Sequence, residues 1–492
     1  MERELKRLKQ EEIPIAMEIL RRWFVNIDNY EEGISLLEGL AVTGGGRLLA
    51  KILYNLSEPH LDMICRTSAK ISAVCVNFHL KKRFYTSALY VFGDGSDGRL
   101  GKDMTFDQKY PFKLPDLPHI EMVSCAYGGN TAVVTRDGDL YTFGYGEDGQ
   151  LGNGKTQTVR IPQKIQGLPP IKMVSCGENH TAIVDRNGNL YTFGSGRKGQ
   201  LGDGNSGKNY FVSRPQRIQN IPPIEMVACG SEHTVILTKD GDVYTFGSCE
   251  NGKLGNGNID YRINVTIPQK IENLPPMKMV SCSQHHTAIV SRTGDLYTFG
   301  SCFFGKLGNG VTHNAIVSEP KLIDNLRPVK MVSCGLTHTA VVCENGDLYM
   351  FGDGRTGALG DGITAETSDK RKVGIPQKVK GIPFIISASC GLQYTAIISQ
   401  NGELYTFGNC SYGRLGNGIS DYRQNVSIPQ KIPNIPPVKM VSCGYSHTAF
   451  VTRSDDDLGF EKILLPCSVC IGREATYFSI EDKKAYCGNE IY

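Results

Sequence analysis

One segment, Leu-Tyr-x-Phe-Gly (Val for Leu once), then a short polar stretch and Gly-x-Leu-Gly, occurs seven times in this 492-residue chain. Its Phe-Gly pairs begin at Phe92, Phe143, Phe193, Phe246, Phe299, Phe351 and Phe407, at intervals of 51, 50, 53, 53, 52 and 56 residues. A second segment, usually Ser-Cys-Gly-x-x-His-Thr followed by alternating apolar residues, recurs as often. Its cysteines are Cys125, Cys176, Cys229, Cys282, Cys334, Cys390 and Cys443. A sustained period near 52 residues constrains the fold strongly. Each copy is one supersecondary unit that buries its apolar face only by stacking on its neighbours. Turn pairs such as Asp137-Gly138, Asn187-Gly188 and Asp240-Gly241 accept the positive φ of tight hairpins. Proline couplets such as Pro169-Pro170 and Pro222-Pro223 stop strands. Each unit therefore reads as a few short antiparallel strands, the size of one propeller blade. The 56 glycines, well above the ~7% usual share, serve mostly as this punctuation.

Order along the chain predicts how the array closes. Phe92 precedes the first cysteine segment, and after Cys443 the expected hairpin is replaced by Ser454-Asp455-Asp456-Asp457. Six blades are then continuous, and a seventh joins strands near residue 90 to strands near residue 445. The expected fold is mainly β: a seven-bladed β-propeller closed by pairing of N- and C-terminal strands, leaving no exposed sheet edge. A small helical N-terminal domain and a short Cys-containing C-terminal tail flank it. The pattern Ser-Cys-Gly-x-x-His-Thr … Gly-Asp-Leu-Tyr-Thr-Phe-Gly-x-Gly-x-x-Gly-x-Leu-Gly resembles the regulator of chromosome condensation repeat family over about residues 86–453. That resemblance implies a seven-bladed propeller. The founding member exchanges guanine nucleotide on the small GTPase Ran and docks on chromatin. Family exchange uses a protruding β-hairpin and chromatin docking a basic N-terminal tail. Here the inter-blade insertions are short and Met1–Glu12 is charge-balanced.

Several motifs invite chemistry that the repeat argues against. Gly93-x-Gly95-x-x-Gly98 and Gly144-x-Gly146-x-x-Gly149 match a dinucleotide fingerprint in letters only, because that fingerprint needs a βαβ unit. His180, His233, His286, His338 and His447 share one repeat position, held by Asn130 and Tyr394 in other copies. A residue serving every blade is expected to satisfy local hydrogen bonds, not a metal or acid–base centre. The repeated cysteines read as small buried apolar groups. No nucleophile–base pair stands out, so the chain is expected not to be an enzyme. Function is sought where the copies differ, in the loops Asp203–Ser213, Gly257–Thr266, Asp361–Gly374 and Gly418–Ser427. Two of these carry Tyr261-Arg262 and Tyr422-Arg423, residue types favoured as interface anchors. Duplication of a blade explains the likeness equally well.

Residues 1–47 carry no assignment beyond a helical reading. Over residues 48–85, Leu48, Leu49, Ile52, Leu53 and Leu56 recur at helical spacing, and Ser57-Glu58-Pro59 offers a cap for the next helix. A helical cap for the propeller is one reading. The other is that this segment resembles an F-box, with Leu49, Ile52, Leu53, Leu56, Leu61, Ile64 and Cys65 on its core string. It departs from the pattern in lacking a Leu-Pro opening and a closing tryptophan. The resemblance implies binding of a Skp-type adaptor of a cullin ubiquitin ligase. An F-box before such a propeller is similar to an arrangement in giant viruses of amoebae. In the tail, residues 454–492, Cys467-x2-Cys470-x16-Cys487-x2-Glu490 has the spacing of a small zinc site. Glutamate is the less usual fourth ligand, so a structural zinc is weighed against a thiol-bearing tail with no cofactor.

The net charge of +3 requires neither nucleic acid nor an anionic membrane, and no apolar stretch is long enough to span one. The N-terminus does not read as a signal peptide, so the 16 cysteines are expected as thiols in an intracellular compartment. That compartment would be cytoplasm or nucleus, of an infected host cell if the viral likeness holds. The functional expectation is a non-enzymatic interaction protein whose propeller holds a protein target. Its rivals are exchange on a Ran-like small GTPase, and a scaffold with neither activity.

Overall fold

A computed structural model describes residues 87–453 apart from 104, 116, 365–370 and 422–423, together with the backbone of three short strands near the C-terminus. Ser87–Thr452 forms one compact unit. It holds seven four-stranded antiparallel sheets. Blade 1 runs from β3 (Ile120–Cys125) through β4 (Asn130–Thr135) and β5 (Leu140–Gly144) to β6 (Val159–Lys164). Blades 2 to 6 repeat that order, beginning at Ile171, Ile224, Met277, Val329 and Ile385.

Blade 7 is built from both ends. Its inner strands are β27 (Val438–Cys443) and β28 (His447–Thr452), and its outer strands are β1 (Leu89–Gly93) and β2 (Gln108–Lys113). Leu89 pairs with Val451 and Gly93 with His447, and Tyr90 stacks on Phe450 with ring centroids 4.9 Å apart. The closure expected from the order of the segments is thus formed. The expected absence of sheet edges is not: every blade keeps an outermost strand. These strands carry proline (Pro162, Pro215, Pro268, Pro320, Pro376, Pro429) beside a register shift, which leaves the edge poorly suited to pairing with another chain.

Burial explains why the strands differ in pattern. The second strand of each blade, His/Asn/Tyr-Thr plus an apolar run, is buried at all six positions because neighbouring blades cover both its faces. The innermost strands lie next to one another around the central channel. There six methionines, Met122, Met173, Met226, Met279, Met331 and Met440, occupy one repeat position and pack against the apolar core between blades. Met suits such a gap because its unbranched side chain adapts to shape. Channel charges pair across blades, Lys172 with Glu225 at 2.7 Å and Lys439 with Glu121 at 2.9 Å.

The Phe-Gly and Gly-x-Leu-Gly elements meet across blades. The last glycine of one turn lies against the phenylalanine ring of the next blade: Gly152 on Phe193, Gly255 on Phe299, and finally Gly416 on Phe92. A Cβ at Gly255 would stand 2.7 Å from Phe299 Cε2, and its φ is +68°. Glycine is required there twice over, for the left-handed backbone and for the close approach.

Outside the propeller, β29 (Thr476–Ser479), β30 (Lys484–Cys487) and β31 (Glu490–Ile491) form a three-stranded antiparallel sheet. The expected helices of residues 1–85 lie outside the described residues.

The two glycine requirements can be separated by mutation. Gly167→Ala meets only the backbone cost, since φ is +78° and nothing lies within 4 Å of the new Cβ. It should destabilise the chain by about 1–2 kcal/mol. Gly255→Ala adds the clash with Phe299 and should cost a further ~1–3 kcal/mol. Urea denaturation of the full chain measures both, and equal losses would refute the packing role of Phe299.

Candidate functional site

The repeated histidines come first, because they are the residues most suggestive of chemistry. All five are fully buried. Each places Nε2 on the threonine hydroxyl of the next blade: His180 on Thr234 at 2.8 Å, His233 on Thr287 at 3.0 Å, His286 on Thr339 at 2.9 Å, His338 on Thr395 at 2.9 Å. His447 on Thr131, 2.9 Å, carries the series across the closure. Every one of these threonines already donates its proton to a backbone carbonyl of the preceding blade, as Thr234 does to Gln200 and Thr339 to Lys306, both at 2.8 Å. The hydroxyl can then only accept, so Nε2 carries a hydrogen and donates it. Burial decides that the ring is neutral: it lowers His180 and His447 to about 3 and His338 to about 4, and holds His233 and His286 well below the usual histidine value.

The other two copies vary the link. In blade 6 the hydroxyl of Tyr394 donates to the His447 carbonyl at 2.7 Å and lies 3.1 Å from Thr448 Oγ1. In blade 1 the shorter Asn130 has no hydrogen-bond partner at either side-chain atom. The seam between blades 1 and 2 is therefore the one without this tie.

The cysteines likewise belong to the scaffold. Eleven are described, all free and buried. Burial raises their thiols, Cys176 to about 11 and Cys229 and Cys334 to about 12, which leaves little thiolate at neutral pH. In six of the seven copies a serine precedes the repeat cysteine and accepts the next blade's Cys N–H, for example Ser124 from Cys176 at 3.0 Å and Ser442 from Cys125 at 2.9 Å; blade 3 has Ala228 instead.

What differs between blades gathers on one face, where the loops between first and second strands meet those between third and fourth. In blade 3, Ile259, Tyr261 and Ile263 stand exposed, Tyr261 at 62%. Arg262 is held by Asp260 (Nε–Oδ1 3.0 Å) and lies 5.7 Å from the Tyr261 ring. Tyr422 and Arg423 lie outside the described residues. So do Leu49, Ile52, Leu53, Leu56, Leu61, Ile64 and Cys65, and Cys467 and Cys470. Cys487 and Glu490 face each other in register on β30 and β31. Among the described residues no three His, Cys, Asp or Glu side chains converge as a metal site would need.

An open cleft of about 370 Å³ lies on this face at blade 4, reaching Asn251 of blade 3 and Thr337 of blade 5. Its floor is Lys306 and its rim Phe303 and Phe304, with His285 beside them. Sequence reasoning missed it. The signal was present: Cys302-Phe303-Phe304-Gly305 puts two phenylalanines where other copies carry polar residues, Tyr412 being the one other ring.

Comparison with known proteins places the scaffold. Residues 88–450 match the family described as the RCC1-like domain, and the chain belongs to that family. It is 32% identical over 346 residues to the Ultraviolet-B receptor UVR8 of Arabidopsis thaliana, covering 69% of this chain and 76% of that protein. It is 31% identical over 380 residues to the human E3 ubiquitin-protein ligase HERC2, covering 75% of this chain but 7% of HERC2. Among solved structures, Prp20p of Saccharomyces cerevisiae superimposes with a TM-score of 0.66 at 21% identity, over 77% of this chain and 96% of that one, a likeness of fold.

The buried histidines set an acid limit. An unfolded histidine titrates near ~6.5. As pH falls below that, the unfolded chain takes up protons that the folded imidazoles refuse, so stability present at neutral pH is lost on acidification. Each histidine contributes up to ~1.4 kcal/mol per pH unit. Melting temperature followed by circular dichroism should fall between pH 6.5 and 4.5. His338→Gln, which keeps an N–H donor and removes one titrating group, should fall less steeply; an unchanged slope would count against the assignment.

Proposed function

We propose that this chain is an interaction protein whose propeller presents its loop face to a protein partner. One observation carries the reading. The polar groups shared by all copies are engaged in holding blades together, while the exposed apolar and aromatic groups Ile259, Tyr261, Ile263 and Phe303 collect in the loops where the copies differ. Tyr261 beside Arg262 is the pair of residue types that most often anchors an interface.

Ubiquitin ligase and receptor relatives use such a propeller within larger or different proteins, which fits a role in recognition. The F-box-like segment adds the second half of the proposal. Residues 48–85 would hold a Skp-type adaptor through Leu49, Ile52, Leu53, Leu56, Leu61, Ile64 and Cys65, so that the captured partner is presented for ubiquitination. The rival is nucleotide exchange on a Ran-like GTPase. It is favoured by the solved likeness to Prp20p, described with its binding properties to Gsp1p and histones.

Affinity capture with the full chain separates these readings. The double change Tyr261→Ala and Arg262→Ala should lose a captured partner at least ~30-fold, the scale of an anchor pair worth 2 kcal/mol or more. Leu53→Asp should release a Skp-type adaptor while leaving that partner bound. If full chain instead accelerates nucleotide release from a Ran-like GTPase, the exchange reading replaces the adaptor reading.

A further inference from the structure

The x of Gly-x-Leu-Gly sits under the loop face in every blade, and in four it is a cation: Arg99, Lys253, Lys306 and Arg414. Each of these side chains is almost fully buried, so its partners matter. Arg99 pairs with Asp94 at 3.1 Å and Asp97 at 2.8 Å. Arg414 donates to the Ser411 and Tyr445 carbonyls and faces the Tyr394 and Tyr412 rings. Lys253 has Glu232 3.6 Å away. Lys306 is 2% exposed, and among the described residues no carboxylate or carbonyl is paired with its ammonium.

The reason lies at a variable position of the repeat, held by Gly129, Asn179, Glu232, His285, Thr337, Gln393 and Ser446 in the seven copies. Glu232 is the residue before His233; the residue before His286 is His285. Where blade 3 supplies an acid to its lysine, blade 4 supplies an imidazole that burial, with Lys306 and Lys253 adding to it, lowers to about 4 and so keeps neutral. The lysine opens instead into the blade-4 cleft. Beside it Thr337, 7% exposed, has a hydroxyl with no partner, and Asn251 and Asn314 line the same space. Phe303 is exposed at the rim, and Phe304 holds φ +72°, a left-handed conformation a bulky residue rarely adopts. Lys372 lies over both rings, adding positive charge to the mouth, whereas Arg355 beside Phe304 is paired with Asp353 at 2.7 Å.

We infer that the blade-4 cleft is a carboxylate pocket for an aspartate or glutamate side chain of the partner protein. Lys306 pairs with the carboxylate, Thr337 donates to it, and an apolar neighbour of the acidic residue packs on Phe303. The occupant supplies what Glu232 supplies to Lys253 in the adjacent blade. This rests on the interaction reading above and specifies what the loop face recognises.

The test titrates full chain with the blocked tripeptide acetyl-Leu-Asp-Leu-amide and its asparagine counterpart, following the 13Cε resonances of labelled lysines. The aspartyl peptide should bind at least tenfold more tightly and shift one lysine resonance, absent from Lys306→Met. Lys306→Met should keep the melting temperature and lose the preference for acid. His285→Glu, which restores the internal partner, should raise the melting temperature and abolish aspartyl-peptide binding. Equal binding of the two peptides, no binding of the aspartyl peptide, or unaltered binding by both variants overturns the pocket. Partner capture lost with the Tyr261 and Arg262 changes but intact in Lys306→Met would leave the interaction reading standing and this one refuted.

Discussion

The ring holds together through a threonine hydroxyl that two groups of the preceding blade grip at once. Thr287 shows the arrangement: it accepts from His233 Nε2 at 3.0 Å and donates to the Lys253 carbonyl at 2.8 Å. With both functions of the hydroxyl satisfied, the threonine can be buried completely between blades, although the Nδ1 of His180, His233, His338 and His447 is left without a partner. The glycine–phenylalanine contact and the methionines then fill the seam. No blade could be stable alone, because its second strand is apolar on both faces. The closure through Tyr90, Phe92 and Phe450 matters for the same reason: it completes the seventh blade from chain segments more than 350 residues apart.

This division of labour decides where recognition can occur. Histidine, threonine, serine and cysteine of the repeat are occupied in the seams, and burial keeps the imidazoles neutral and the thiols protonated. A side chain in the scaffold that departs from the pattern is therefore exposed as a departure. Asn130 leaves one seam without its tie. His285, where blade 3 alone has Glu232, leaves Lys306 without an acid, and Lys306 lines the blade-4 cleft.

Much of the architecture was legible from particular residues. The Phe-Gly spacing specified the blades, and the position of Phe92 before Cys125 specified the closure, because strand pairing across a seam repeats with the sequence. The prolines of the outer strands show the limit. Only the couplets such as Pro169-Pro170 read as strand stops in the sequence, whereas Pro162 and its five counterparts blunt the outer edges, which is visible only once the outer strands are seen to be unpaired on one side. The histidines were rightly read as structural, yet their partners were expected nearby in sequence. The partners lie more than 50 residues away, a distance that local pattern cannot bridge.

The candidate site was the least legible. Tyr261 and Arg262 stood out by type, whereas Lys306, His285 and Thr337 come from three separate loops and look unremarkable in line. The sequence by itself determined that seven equivalent units must stack and close, since the period and the two-sided apolar strands admit no other burial. Only the tertiary structure decided which polar residues find partners. A charge is satisfied or left open by what the neighbouring blades bring within a few ångströms, and that is a property of the ring, not of any one repeat.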